Sequence, residues 1–100
     1  MIQGTTPTHT FYVDKDTSLI KSVKITYAQN EKIVLVKRTP DCVINDGKIM
    51  VRLSQEDTFL FDPDKFVTIL IRVLTIDDKA ITSNPVMMSV LECFDDEVLK

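Results

Sequence analysis

The sequence predicts an all-β protein: an antiparallel, immunoglobulin-like β-sandwich of about seven strands with one short helical turn near 54–58. Three observations carry this reading. One long apolar run is rich in β-branched residues, most other segments alternate apolar and polar at period two, and turn signals break the chain every few residues with no stretch of helical period. A small barrel shares these periodicities and is the alternative architecture.

The long run lies at 66–76, Phe-Val-Thr-Ile-Leu-Ile-Arg-Val-Leu-Thr-Ile. Val67, Ile69, Ile71 and Val73 share one face, and Thr68, Leu70, Arg72 and Leu74 share the other. A strand with one dry face and one mixed face belongs in the middle of a sheet.

The remaining elements follow in order. Residues 1–7 hold a threonine pair, Gly4 and Pro7 and read as a flexible arm. His9, Phe11 and Val13 alternate with Thr8, Thr10 and Tyr12 to give a first strand ending at the turn Asp14-Lys15-Asp16-Thr17. In the second strand, 19–29, Val23, Ile25 and Tyr27 face inward and Ser22, Lys24 and Thr26 outward. Asn30-Glu31 then predicts a tight hairpin, because Asn tolerates the left-handed conformation, although Glu is poorer than Gly at the second place.

The third strand, 33–38, is apolar on both faces. After the break at Thr39-Pro40-Asp41 come a short strand at 42–44, the hairpin turn Asn45-Asp46-Gly47, and a strand with Ile49, Val51 and Leu53 inward and Lys48, Met50 and Arg52 outward. Ser54 and Asp57 have the spacing of a helix start, in which a hydroxyl accepts from the amide three residues on. That predicts one helical turn crossing between sheets, with Phe59, Leu60 or Phe61 closing the end of the core. The last strand is interrupted by Ser83-Asn84-Pro85, which suits an edge or a bulge. Val86, Met88 and Val90 are expected inward, and Met87, Ser89 and Leu91 outward. One sandwich domain is expected over 8–94, with an acidic tail at 95–100.

A chain of 100 residues is one domain, long enough to bury roughly two-thirds of its unfolded surface. Its apolar fraction of 44% and charged fraction of 27% exclude global disorder. No apolar run reaches the roughly 20 residues of a membrane span, and residues 1–7 lack the features of a signal peptide, so no membrane association is expected. The net charge of −3 disfavours nucleic acid. Acids gather in the turns and bases inside the strands, which predicts basic outer faces and acidic ends. Strand lysines that discourage edge pairing explain this without a ligand. Cys42 and Cys93 read either as an intersheet disulfide or, the preferred reading, as two small buried hydrophobes in a reducing compartment.

No catalytic residue and no cofactor is predicted. His9 is the one histidine, with no nucleophile motif or telling acid beside it. Two cysteines and one histidine make no closed zinc set. The pairs Asp14/Asp16 and Asp62/Asp64 open like calcium loops, but Ile25 and Val73 stand where the bidentate Glu is needed. Asp46, Asp77 and Asp78 at one end of the sandwich are the calcium candidates. Outward Met50, Met87 and Leu91 predict an apolar interface patch.

The opening Met1-Ile2-Gln3-Gly4-Thr5-Thr6-Pro7-Thr8-His9-Thr10-Phe11, the segment Ile25-Thr26-Tyr27-Ala28-Gln29-Asn30, the turn Leu53-Ser54-Gln55-Glu56-Asp57-Thr58, the strand Arg72-Val73-Leu74-Thr75 and the ending Cys93-Phe94-Asp95-Asp96-Glu97-Val98-Leu99 together resemble small prophage- and phage-encoded proteins of gut Firmicutes. The resemblance implies a non-enzymatic structural or assembly-accessory module, tail-associated, made in the bacterial cytoplasm and carried on the virion. Its partners are then other protein subunits or further copies of itself. Interface candidates are Ile2, Met50, Met87, Leu91, Val98 and Leu99. The alternative, from another class, is a small carbohydrate- or calcium-binding module at the acidic loop end.

Overall fold

The computed structural model describes residues 1–14 and 16–100; Lys15, in the turn expected at 14–17, lies outside the described residues. The strands are β1 (Thr8–Tyr12), β2 (Ile20–Gln29), β3 (Lys32–Arg38), β4 (Cys42–Asn45), β5 (Lys48–Arg52), β6 (Val67–Thr75), β7 (Ala80–Thr82) and β8 (Val86–Met88), with the helical turn α1 (Gln55–Phe59) between β5 and β6. They form two antiparallel sheets, β1-β5-β4 and β3-β2-β6-β7, with β8 also on β6. These layers make a sandwich.

β7 and β8 are one edge strand broken by a bulge. β7 pairs Leu74 with Ala80 and Arg72 with Thr82, whereas β8 pairs Ile69 with Val86. One extra residue therefore sits on the edge side, where Pro85 has no amide to offer. Ser83 fills the gap: its amide donates to the Ile71 carbonyl at 2.9 Å, and its hydroxyl accepts from the Ile71 amide at 3.1 Å. Counted as one strand, β7–β8 brings the total among the described residues to the expected seven. The pairings then match strands B-E-D and C′-C-F-G of the immunoglobulin topology.

Both hairpins turn as the sequence predicts. Asn30 and Glu31 have φ of 50° and 64°, and Asp46 and Gly47 have 48° and 76°, the doubly left-handed pattern of a type I′ turn. Register fixes which side chains meet. Val23, Ile25 and Tyr27 of β2 lie beside Val73, Ile71 and Ile69 of β6, and Ile49 and Val51 of β5 close the core from the other layer. Leu53, Phe61 and Val90 complete it. Each fully buried aliphatic or Phe contributes about 1.5–3 kcal/mol.

Two polar devices fix the crossing from one sheet to the other. The Ser54 hydroxyl accepts from the Asp57 amide at 3.0 Å, and the Asp57 carboxylate accepts from the Ser54 amide at 2.9 Å, a reciprocal cap on α1. Asp57 also meets Lys37 of β3 at 2.8 Å. Burial alone raises the Asp57 carboxyl, but the Lys37 ammonium and the Ser54 donors outweigh it and hold the group below the usual carboxylate range. Downstream, the buried Gln29 amide accepts from the Asp62 amide at 2.8 Å and donates to the Asp62 carbonyl at 2.9 Å, so it clamps the loop into β6. Of the three aromatic or aliphatic candidates for closing the core, Phe61 does so, while Leu60 is exposed.

The N-terminal segment departs from the expected flexible arm. The Met1 ammonium donates to the Ser89 carbonyl at 2.9 Å, Ile2 forms a parallel bridge with Leu91, and the Gln3 side chain holds the Phe61 carbonyl and the Cys93 amide. The Gly4 amide donates to the Thr58 hydroxyl, which donates in turn to the Thr5 carbonyl. Sequence offered no apolar period here because backbone groups and amides, which leave no such pattern, do the docking. The tail is tied as well: the Gln55 side chain exchanges hydrogen bonds of 3.0 and 2.8 Å with the backbone of Leu99.

Candidate functional site

The outer face of the large sheet brings the candidate residues together. Paired residues in a ladder point the same way, so the register fixes that face row by row. One row runs Ile33, Ala28, Thr68 and Met87 across β3, β2, β6 and β8. The next runs Val36, Thr26 and Leu70. Phe66 enters at the end of β6, where it lines a small depression with Leu91, itself bridged to Ile2. Phe66, Met87, Leu91 and Ile2 are 62%, 64%, 58% and 47% exposed. An apolar strip of this kind belongs to an interface more often than to a small-molecule site.

Further along the same face, Arg38, Lys24 and Arg72 form a single cross-strand row. They line an open depression of about 410 Å³ together with Ser22 and Leu74. Among the described residues the ion pairs are Lys21–Asp78, Lys37–Asp57, Lys65–Asp62 and Lys79–Asp77, so none of the three cationic side chains in the row is in an ion pair, while the Asp41 carboxylate accepts from the Arg38 backbone amide at 2.9 Å.

Met50 does not join this surface. It pairs with Thr10 and Val43 in the small sheet and alternates with buried Ile49 and Val51, so it faces out on the opposite side of the sandwich from Met87. The single Met50, Met87 and Leu91 patch expected from sequence is therefore two separate places. Period two separates inward from outward but does not say which of two outer faces a strand supplies. Val98 lines a broad depression beside α1 with Phe59 and Phe94, and Leu99 lies along α1 on Gln55. Sequence reading missed Phe66, counted there as the start of a strand, and the cation row, whose three members look like ordinary strand bases until paired.

The groups with chemical potential elsewhere are occupied or muted. His9 Nδ1 lies 2.8 Å from the Tyr27 hydroxyl. Burial, then the positive N-terminus, lowers the His9 pKa, and burial raises that of the Tyr27 phenol. Cys42 and Cys93 are free thiols; burial, with Asp41 nearby, pushes the Cys42 thiol up and away from the reactive thiolate. Among the described residues, no three His, Cys, Asp or Glu side chains gather where a metal ion could bind. Asp46 sits in the β4–β5 turn. Asp77 accepts from the Thr75 hydroxyl and lies near Lys79, which lowers its pKa mainly through the Thr75 bond, while Asp78 approaches Lys21 at 3.9 Å.

Comparison with protein-family models, with curated proteins and with solved structures finds no match. Among the described residues no helix is long and apolar enough to cross a membrane.

Proposed function

We propose that the protein is a non-enzymatic structural or assembly-accessory protein of a phage or prophage, tail-associated, that acts through protein–protein contacts made by the outer face of its large sheet. One observation carries the reading. Phe66, Met87, Leu91 and Ile2 stay exposed on a face whose hydrogen-bonded framework holds them in place. Exposing this much apolar surface at one end of one face costs solubility, and burial against a neighbour recovers it.

The phage assignment rests on the resemblance of the sequence and is tested on particles. Induction of the source prophage, purification of virions and mass spectrometry should find this chain in them; its absence from intact particles removes the virion component. The contact face is tested separately. Phe66→Ser with Met87→Glu should abolish co-purification with the neighbouring subunit and leave the melting temperature within a few degrees of wild type. Retained co-purification moves the interface elsewhere.

A further inference from the structure

We propose that the row Arg38–Lys24–Arg72 binds the acidic C-terminal segment of a second copy, so that copies join head to tail. This deepens the reading of an assembly protein and rests on it for its biological setting; the geometry stands alone. Like charges placed directly opposite in a ladder destabilise a sheet. Here three stand side by side across β3, β2 and β6, and among the described residues none of the three side chains is in an ion pair. Neighbouring strands lie about 4.8 Å apart, so the row presents its cations across roughly 10 Å. Two guanidinium forks, each suited to a carboxylate, flank an ammonium above the depression lined by Ser22 and Leu74.

The complementary group is in the chain itself. Asp95, Asp96 and Glu97 are exposed and enter no ion pair among the described residues. They follow Phe94, whose side chain is 97% exposed, and precede half-buried Val98. The segment is presented rather than loose, since the Glu97 amide bonds the Asp95 carboxylate and Gln55 holds Leu99. Three acids beside an unburied Phe match three cations beside Leu70 and Leu74 on the sheet face. A symmetric pairing of two such faces would set cations on cations or on the apolar end, whereas tail on row satisfies both. The contact joins unlike surfaces, so it extends to a ring or a filament unless two copies exchange tails reciprocally and close as a dimer.

The test uses a fluorescent peptide of residues 94–100 and the intact chain. The peptide should bind wild type at about 20 mM salt and weaken at least tenfold at about 0.3 M, where screening shortens the Debye length to about 6 Å. Lys24→Thr should weaken it at least tenfold while raising the melting temperature, a pairing of effects that a merely structural lysine would not give. Light scattering of the intact chain at low salt should show masses above the monomer that collapse in Lys24→Thr. Binding that survives Lys24→Thr, equal binding of a peptide with Asn-Asn-Gln in place of the acids, equal competition by inorganic phosphate, or an intact chain that stays monomeric at low salt would each overturn the proposal. None of these outcomes alters whether the chain is found in particles.

Discussion

His9 Nδ1 and the Tyr27 hydroxyl, 2.8 Å apart, join β1 of the small sheet to β2 of the large one across the sandwich. Their rings lie 5.7 Å apart, and Tyr27 packs in turn on Phe61. Burial disfavours the imidazolium, and the N-terminal ammonium adds to that, so the folded state holds His9 below its ordinary value of 6.5.

Stability should therefore depend on pH through this residue. The unfolded chain takes up the His9 proton first as pH falls, so the contribution is whole above about 6.5 and declines below it, until the folded state is protonated too. Urea unfolding between pH 7.5 and pH 5 should show a falling midpoint that His9→Gln removes. A midpoint equally pH-dependent in both proteins would assign the effect elsewhere.

Asp57 serves α1 and Lys37 at once, so its loss should exceed the loss of its partner. Asp57→Ala removes half of the cap and the ion pair and should cost about 1–2 kcal/mol. Lys37→Met leaves Asp57 bonded to Ser54 and should cost less, about 1 kcal/mol or below. Equal costs in denaturant titration would contradict this division of labour.

Glu31 adopts φ of 64° where the turn favours glycine. Glu31→Gly should stabilise the protein by about 1 kcal/mol, or roughly 4 °C or more in melting temperature for a domain of this size. No gain would mean that the turn is not under backbone strain.

Gly4 decides between a docked and a free N-terminal segment. It has φ of 78°, and a Cβ built there would lie 2.9 Å from the Phe59 ring. Gly4→Ala should cost about 1–2 kcal/mol and speed amide exchange at Leu91, whose amide donates to the Met1 carbonyl. A free arm would tolerate the substitution without change.

Calcium at millimolar concentration should leave the melting temperature flat, since Asp77 and Asp78 lie close to lysines of their own and Asp46 sits in another turn. A clear rise would restore the alternative of a calcium-binding module.

What could be read from the sequence was local. Ser54 and Asp57 announced their cap by spacing, Asp46-Gly47 its turn by residue type, and Val67, Ile69 and Ile71 their inward face by alternation, and together these gave the sandwich. The site depended on register. Arg38, Lys24 and Arg72 are far apart in the chain, and only the pairing of three strands sets them in a row. Met50 and Met87 show the converse, because both alternate outward but on different layers. The docked N-terminus left no apolar trace, since Gln3, Gly4 and Thr58 hold it with amides and a hydroxyl.

The four outer strands of the two sheets are not equally guarded. Lys32, Lys37 and Arg38 charge β3, Pro85 and the bulge interrupt β7–β8, and β4 is only four residues long and follows Pro40. β1 follows Pro7 but carries no Lys, Arg or bulge of its own. Val13 donates to Gly47 and Pro7 accepts from Leu53, so odd-numbered residues serve β5 while the backbone groups of Thr8, Thr10 and Tyr12 point off the sheet edge, with no strand beyond them among the described residues. An uncharged, β-favouring Thr-His-Thr-Phe-Tyr segment with unspent amides is a template for strand copying. In a concentrated solution those five residues offer copies a place to add strand to strand, and a single proline at Thr10, on the unbonded side, should slow that association.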